Sequence, residues 1–138
     1  MSQQTGLPST PAPPTGSAAT DAEHGIQLGL LEASISALSR EAPNADELVE
    51  QLYTYSEAHF LSEQLLMRMA ARSNYEGHVE QHGELMQDLD KARAELQKGR
   101  PAAAQAALEG HRERLLEHIR SWDRSVEDPP EAAGTSAR

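Results

Sequence analysis

Cysteine is absent from this chain of 138 residues, and its absence narrows the chemistry that the protein can perform. Without thiols the chain forms no disulfide, and it offers no ligand to a thiolate zinc site or an iron–sulfur cluster. Any metal ion must therefore be held by nitrogen and oxygen atoms.

Basic residues are few: 12 Lys and Arg stand against 22 Asp and Glu, for a net charge of −10. A surface that binds nucleic acid needs a basic patch, and none is present in the sequence. The chain also lacks an apolar run of membrane-spanning length and the basic and apolar regions of a secretory leader. We therefore predict a soluble, cytoplasmic protein that binds neither nucleic acid nor membrane.

The length suits a single domain flanked by two tails. Residues 1–19 are rich in Ser, Thr, Pro and Gly, and residues 128–138 have a similar composition. Such segments lack the apolar side chains that a core requires, so both are predicted to be disordered. The predicted domain covers residues 20–127.

Between the tails, apolar residues recur with the period of an α-helix, and helix-breaking residues divide this region into four segments. The predicted helices run from Thr20 to Arg40, from Ala45 to Ala71, from Asn74 to Lys98, and onward from Pro101. Thr20 or Asp21 is expected to cap the first helix, and proline suits the first turn of the fourth. No segment has the pattern of a strand, and short loops favour antiparallel neighbours. The predicted fold is all-α, an up-down-up-down antiparallel four-helix bundle.

The second helix carries a buried stripe in which two polar residues interrupt apolar ones. Its members are Leu48, Leu52, Tyr55, His59, Glu63, Leu66 and Ala70. Three methionines, Met67, Met69 and Met86, are read as core filler.

Five of the six histidines and two carboxylates are predicted to meet in one layer of this bundle. They are His24, His59, Glu63, His78, His82, His118 and Asp123. With a rise of about 1.5 Å per residue, the four antiparallel helices bring these seven residues into a slab about 10 Å thick. Buried imidazoles and carboxylates are costly unless something compensates them, which predicts a buried metal centre. His111 is two turns from His118 and is read as a structural core residue.

The spacing of these residues supports the same interpretation. His59 with Glu63, and His78 with His82, are i,i+4 pairs that project from one helix face and can converge on one ion. Asp123 follows His118 by five residues, about 140° further around an ideal helix, so periodicity alone does not select it.

Three strings resemble the hemerythrins, particularly the bacterial ones: HFLSEQLLM from His59, YEGHVEQH from Tyr75 and HIRSWD from His118. That family's pattern is a lone His followed by HxxxE, HxxxH and HxxxxD. The DAEH string at residues 21–24 is similar to the DxxH that opens the family's first helix. The resemblance covers roughly residues 21–126. The chain departs from it at residues 25–27, at Arg72-Ser73 where bacterial members often have Tyr-Pro, and in lacking an aromatic-rich arm before residue 20.

The resemblance implies a non-haem di-iron oxygen carrier with an oxo or hydroxo bridge. By similarity, two histidines would hold one iron (His24 and His59) and three would hold the other (His78, His82 and His118), while Glu63 and Asp123 would bridge the two. Five imidazoles, two bridging carboxylates and one solvent bridge would leave one of about twelve octahedral positions open. That position falls on the iron with two histidines, where O2 would bind.

A set rich in imidazole favours reversible binding over oxidation of a substrate, since the ferritin-like di-iron enzymes use more carboxylate. We therefore expect a protein for transport, storage or sensing of O2 rather than an enzyme. Leu28, Phe60 and Leu115 are predicted to line a dry O2 pocket. The alternative is an enzyme or stress protein that handles peroxide or NO, or donates iron for cluster repair. Manganese in place of iron and the oligomeric state are left open.

Overall fold

Four helices make up the regular secondary structure of the residues that this computed structural model describes, which are 12–15 and 17–122. They are α1 (Ala18–Ser39), α2 (Ala45–Met69), α3 (Tyr75–Gln97) and α4 (Pro101–Ser121). Each helix packs against two others, in the order α1, α2, α3, α4 and back to α1. This arrangement confirms the predicted up-down-up-down bundle.

Helix α1 begins two residues before its predicted start. The backbone of Ser17 is extended, and its hydroxyl accepts a hydrogen bond from the amide of Thr20 at 3.2 Å. Ser17 is therefore the N-cap, and the prediction of Thr20 or Asp21 in that role is wrong. Asp21 instead accepts hydrogen bonds from the amide and hydroxyl of Thr15, at 2.9 and 2.7 Å. These contacts hold the chain before the helix against its first turn.

The three loops between helices begin in the same way. Glu41, Ala71 and Gly99 have left-handed backbones, with φ of 55°, 54° and 73°. The next amide in each loop donates to a carbonyl five residues earlier, at 2.8, 3.1 and 2.9 Å. These are Schellman ends, which satisfy the last carbonyls of a helix and turn the chain sharply. The starts of α1 and α3 therefore lie at the same end of the bundle as the ends of α2 and α4.

The second half of α2 departs from the predicted stripe. Met67 is fully buried, whereas Leu66 is 40% exposed and Met69 is 75% exposed. Residue 67 lies about 40° around the helix from Glu63, and residue 66 lies about 60° away on the opposite side. The core is formed on the side of Met67, so Leu66 and Met69 are not core residues.

Several predictions concern residues outside the described part of the chain. These are Asp123, residues 1–11 and 16 of the N-terminal tail predicted at 1–19, and the C-terminal tail predicted at 128–138. No helix in the described part has both the length and the apolar character needed to cross a membrane.

Candidate metal centre

Six of the seven predicted ligands meet in one buried layer, and all four helices contribute to it. None is more than 3% exposed: His24, His59, Glu63, His78, His82 and His118. α1 and α4 supply one residue each, while α2 and α3 supply an i,i+4 pair each. The seventh, Asp123, lies outside the described residues.

The six residues form two groups that could each hold a metal ion. One group consists of His24, His59 and Glu63, and the other joins Glu63 to the remaining three histidines. Within each group the candidate ligand atoms lie within 4.8 Å of one another. Glu63 belongs to both groups, so the two candidate sites are adjacent.

The two oxygens of Glu63 face different histidines. Oε2 lies 3.2 Å from Nε2 of His24 and 2.9 Å from Nε2 of His59. Oε1 lies 3.1 Å from Nε2 of His82, in the other group. One carboxylate oxygen is therefore directed at each group, which is the geometry that a bridging carboxylate requires.

Some of the candidate ligand atoms lack hydrogen bonds that a metal ion could replace. In the described part of the chain, Nε2 of His59 and Nε2 of His82 are buried without a hydrogen bond, although each lies close to Glu63. A buried polar atom without a partner is destabilising, and a cation between these nitrogens and the carboxylate would remove that cost. Imidazole and carboxylate together suit transition metals such as iron.

The family model described as the hemerythrin HHE cation binding domain matches residues 15–127. The chain belongs to this family. The match covers all four helices and every predicted ligand, Asp123 included. A search of curated proteins and a search of solved structures returned no match. The family's domain binds metal cations, and the buried cluster around Glu63 is where this hemerythrin could hold them.

Two residues outside the cluster orient its histidines. Nδ1 of His59 lies 2.8 Å from Oε1 of Glu23, and Nδ1 of His82 lies 2.8 Å from Oε1 of Gln64. When each ring is neutral and Nδ1–H donates to this oxygen, Nε2 keeps its lone pair directed into the cluster. Neither residue was predicted from the sequence. Each is adjacent to a predicted ligand in the chain, but the histidine that it contacts lies on another helix.

A third polar contact near the centre was also missed. Gln27 donates from Nε2 to the hydroxyl of Ser56 at 3.1 Å, and both side chains are fully buried. Gln27 follows His24 by three residues, so this pair lies one turn from the cluster and ties α1 to α2.

The pKa values of two histidines move in opposite directions. Burial opposes the protonation of His59, but contact with the carboxylates of Glu63 and Glu23 raises the pKa of His59 above its usual value. Burial is the main reason that the pKa of His82 is lowered, and the neighbouring His118 acts in the same direction. His82 is therefore neutral near pH 7, the form in which an imidazole binds a metal.

Phe60 covers the cluster on its apolar side. Its ring centroid lies 4.3 Å from that of His82, 5.8 Å from that of His59 and 6.2 Å from that of His118. The other two residues predicted for an O2 pocket, Leu28 and Leu115, are buried in the same core as Phe60. The structure thus places the apolar ring of Phe60 against three of these histidines.

Trp122 packs beside the centre. Its ring centroid lies 5.5 Å from that of His78, and a Cβ added at Gly77 would lie 3.0 Å from the indole. A larger residue than glycine at position 77 would displace Trp122.

His111 belongs to neither candidate site. It is fully buried, and its Nδ1 lies 3.3 Å from Oδ2 of Asp88 on α3. This contact agrees with the structural role expected from the sequence.

Proposed function

We propose that this hemerythrin binds O2 reversibly at two iron ions that share Glu63, and that it carries, stores or senses O2 instead of acting as an enzyme. The observation that carries the proposal is the divergence of the two Glu63 oxygens toward separate histidine groups. A single ion would not need a carboxylate shared between two groups.

The histidines divide unequally between the two positions. His24 and His59 would hold one iron, His78, His82 and His118 would hold the other, and Asp123 would supply a second bridge. At these two positions a pair of iron ions would supply the two electrons that O2 takes up when it binds. The side with two histidines offers fewer protein ligands, so it is where the chain leaves room for O2.

The chain's apolar residues protect the oxygenated centre from water. Phe60 is 2% exposed, Leu28 is 3% exposed and Leu115 is fully buried. Water or protons that reach bound O2 promote irreversible oxidation of the metal centre. Apolar side chains that exclude water therefore prolong reversible binding. Glu23 and Gln64 act from outside these apolar side chains, where they hold the rings of His59 and His82.

The proposal is tested by reducing the iron-loaded protein without air, admitting air, and following the visible absorption band of the oxygenated centre. We expect a band that appears with O2, disappears under argon and returns on re-oxygenation. Glu63→Ala should abolish the band, whereas Glu80→Ala, at an exposed position on α3, should retain it. Turnover of added peroxide over many cycles without a reversible band would instead identify a peroxide-handling enzyme.

A further inference from the structure

The outer face of α2 exposes a row of large apolar side chains. Leu61 is 58% exposed, Leu65 is 60% exposed and Met69 is 75% exposed, and their spacing by four residues places them along one stripe. Leu66 borders the stripe and is 40% exposed. In the described part of the chain, Ile26 on α1 is the one other large apolar residue with comparable exposure. Among residues 17–122, four of the five exposed large apolar side chains are thus concentrated on half of one helix.

Opposite charges lie near the two ends of this stripe. Glu57 is one turn before Leu61, and Arg68 adjoins Met69. Both are exposed, and neither takes part in an ion pair within the described part of the chain. Arg68 follows Glu57 by eleven positions, or about three helical turns, so both charges lie on the same side of the stripe, within about 20° of each other.

We propose that two copies of this chain associate through this face, with the two α2 helices antiparallel about a twofold axis near residues 62 and 63. A twofold interface must be self-complementary, and this stripe has that property. In such a pair Glu57 of one copy and Arg68 of the other lie at the same height along the helix axis. Leu61 of one copy and Leu65 of the other differ in height by about 1.5 Å along the helix axis. Because the axis repeats each contact, two ion pairs flank one apolar centre.

Small residues allow the two helices to approach. Ala58 is exposed on the stripe, and it lies within about 3 Å along the axis of the position that Met69 of the other copy would occupy. The metal ligands of α2 project from the opposite side of the helix, into the bundle. The association therefore does not depend on the metal centre or on the proposed function.

The contact is limited to one helix face about 18 Å long, from Glu57 to Met69. It buries less than the ~800 Å² per partner of a standard stable interface, so the dimer should dissociate on dilution. Sedimentation equilibrium of the full chain, from about 1 μM to about 1 mM, measures this association. We expect the dimer mass at the upper end of the range and the monomer mass at the lower end.

Two substitutions locate the interface. Leu65→Lys should leave a monomer throughout the concentration range. Ile26→Lys, at a residue of α1 that is 52% exposed, is the matched control and should associate as the wild type does. A protein that is monomeric at about 1 mM, or equal association by the Leu65→Lys variant, would overturn the proposal. A monomer would mean that a different partner covers the stripe.

A charge exchange tests the orientation of the two helices. Glu57→Arg alone and Arg68→Glu alone each replace two attractive pairs by two repulsive ones, and each should weaken the dimer roughly tenfold. The double variant restores opposite charges and should return to wild-type affinity. Circular dichroism checks that all variants are folded. A double variant no stronger than the single ones would exclude the antiparallel arrangement.

Discussion

Leu115 is the residue whose replacement should most directly expose the proposed O2 pocket to water. It is fully buried on α4, one turn before His118. Leu115→Ser replaces an apolar wall with a hydroxyl and leaves space that water can fill. We expect a loss of roughly 2–5 kcal/mol in the free energy of unfolding, from the cavity alone, together with a shorter lifetime of the oxygenated protein.

A second leucine separates the two effects. Leu108 is also fully buried on α4 but lies ten residues before His118, about 15 Å along the helix. Leu108→Ser should cost similar stability and leave the lifetime of the oxygenated form unchanged. The decay of the visible band in air measures that lifetime. Equal lifetimes in the two variants would place Leu115 outside the pocket wall.

The sequence was sufficient to place the six described candidate ligands together. Their chemical types are unusual in a core, and their register along each helix follows from a constant rise per residue. It was not sufficient for Glu23, Gln64 or Gln27, which are polar residues of ordinary type. Their role depends on side-chain contacts across helices, which periodicity does not reveal.

Asp88 joins α3 to α4 through two side chains. Arg114 donates to both of its carboxylate oxygens, from Nε at 3.0 Å and from Nη2 at 2.5 Å, while Nδ1 of buried His111 lies 3.3 Å away. Burial opposes ionisation of Asp88, but hydrogen bonds from His111 and Arg114 hold its pKa below the usual value of 3.8. The folded protein therefore favours the ionised carboxylate.

This link should make helix packing sensitive to acid. Because the folded pKa is the lower one, the stabilisation by Asp88 is complete well above pH 3.8 and is lost as the pH falls from there through the folded pKa. We expect Asp88→Asn to reduce the free energy of unfolding at pH 7 by about 2 kcal/mol, with a smaller difference from wild type below about pH 4. Urea denaturation across this pH range measures the difference.

Asp90→Asn is the matched control on the same helix. Asp90 is 59% exposed at its side chain, and its nearest basic group, on Arg93, is 3.9 Å away. An exposed pair at that distance contributes little, so this variant should remain close to wild type at every pH. A similar loss in both variants would show that Asp88 has no special part in joining the helices.

The helices themselves were predictable because breakers and caps mark their ends. The predicted starts and ends of α1, α2 and α3 agree with the structure to within two residues. The exposure of Leu66 and Met69 was not predictable, because an apolar residue near the edge of a stripe can be either a core residue or a surface residue at an interface. Which side of Glu63 is buried depends on the packing of α2 between α1 and α3.

The bundle as a whole brings the candidate centre together, since no single helix carries more than two of the described candidate ligands. The loop between α2 and α3 lies at the same end of the bundle as the candidate centre. The α1–α2 and α3–α4 loops lie at the opposite end. Burying six imidazole and carboxylate side chains costs considerable folding free energy in a domain of this size. Metal binding where they meet would offset that cost and link all four helices.

The metal content of the purified, iron-loaded chain tests the central claim most directly. Two adjacent sites that share Glu63 predict about two iron ions per chain, and about one or fewer after Glu63→Ala. Elemental analysis against protein concentration gives this ratio. A wild-type protein that takes up a single ion per chain, with Glu63→Ala taking up the same amount, would contradict a centre built around a shared carboxylate.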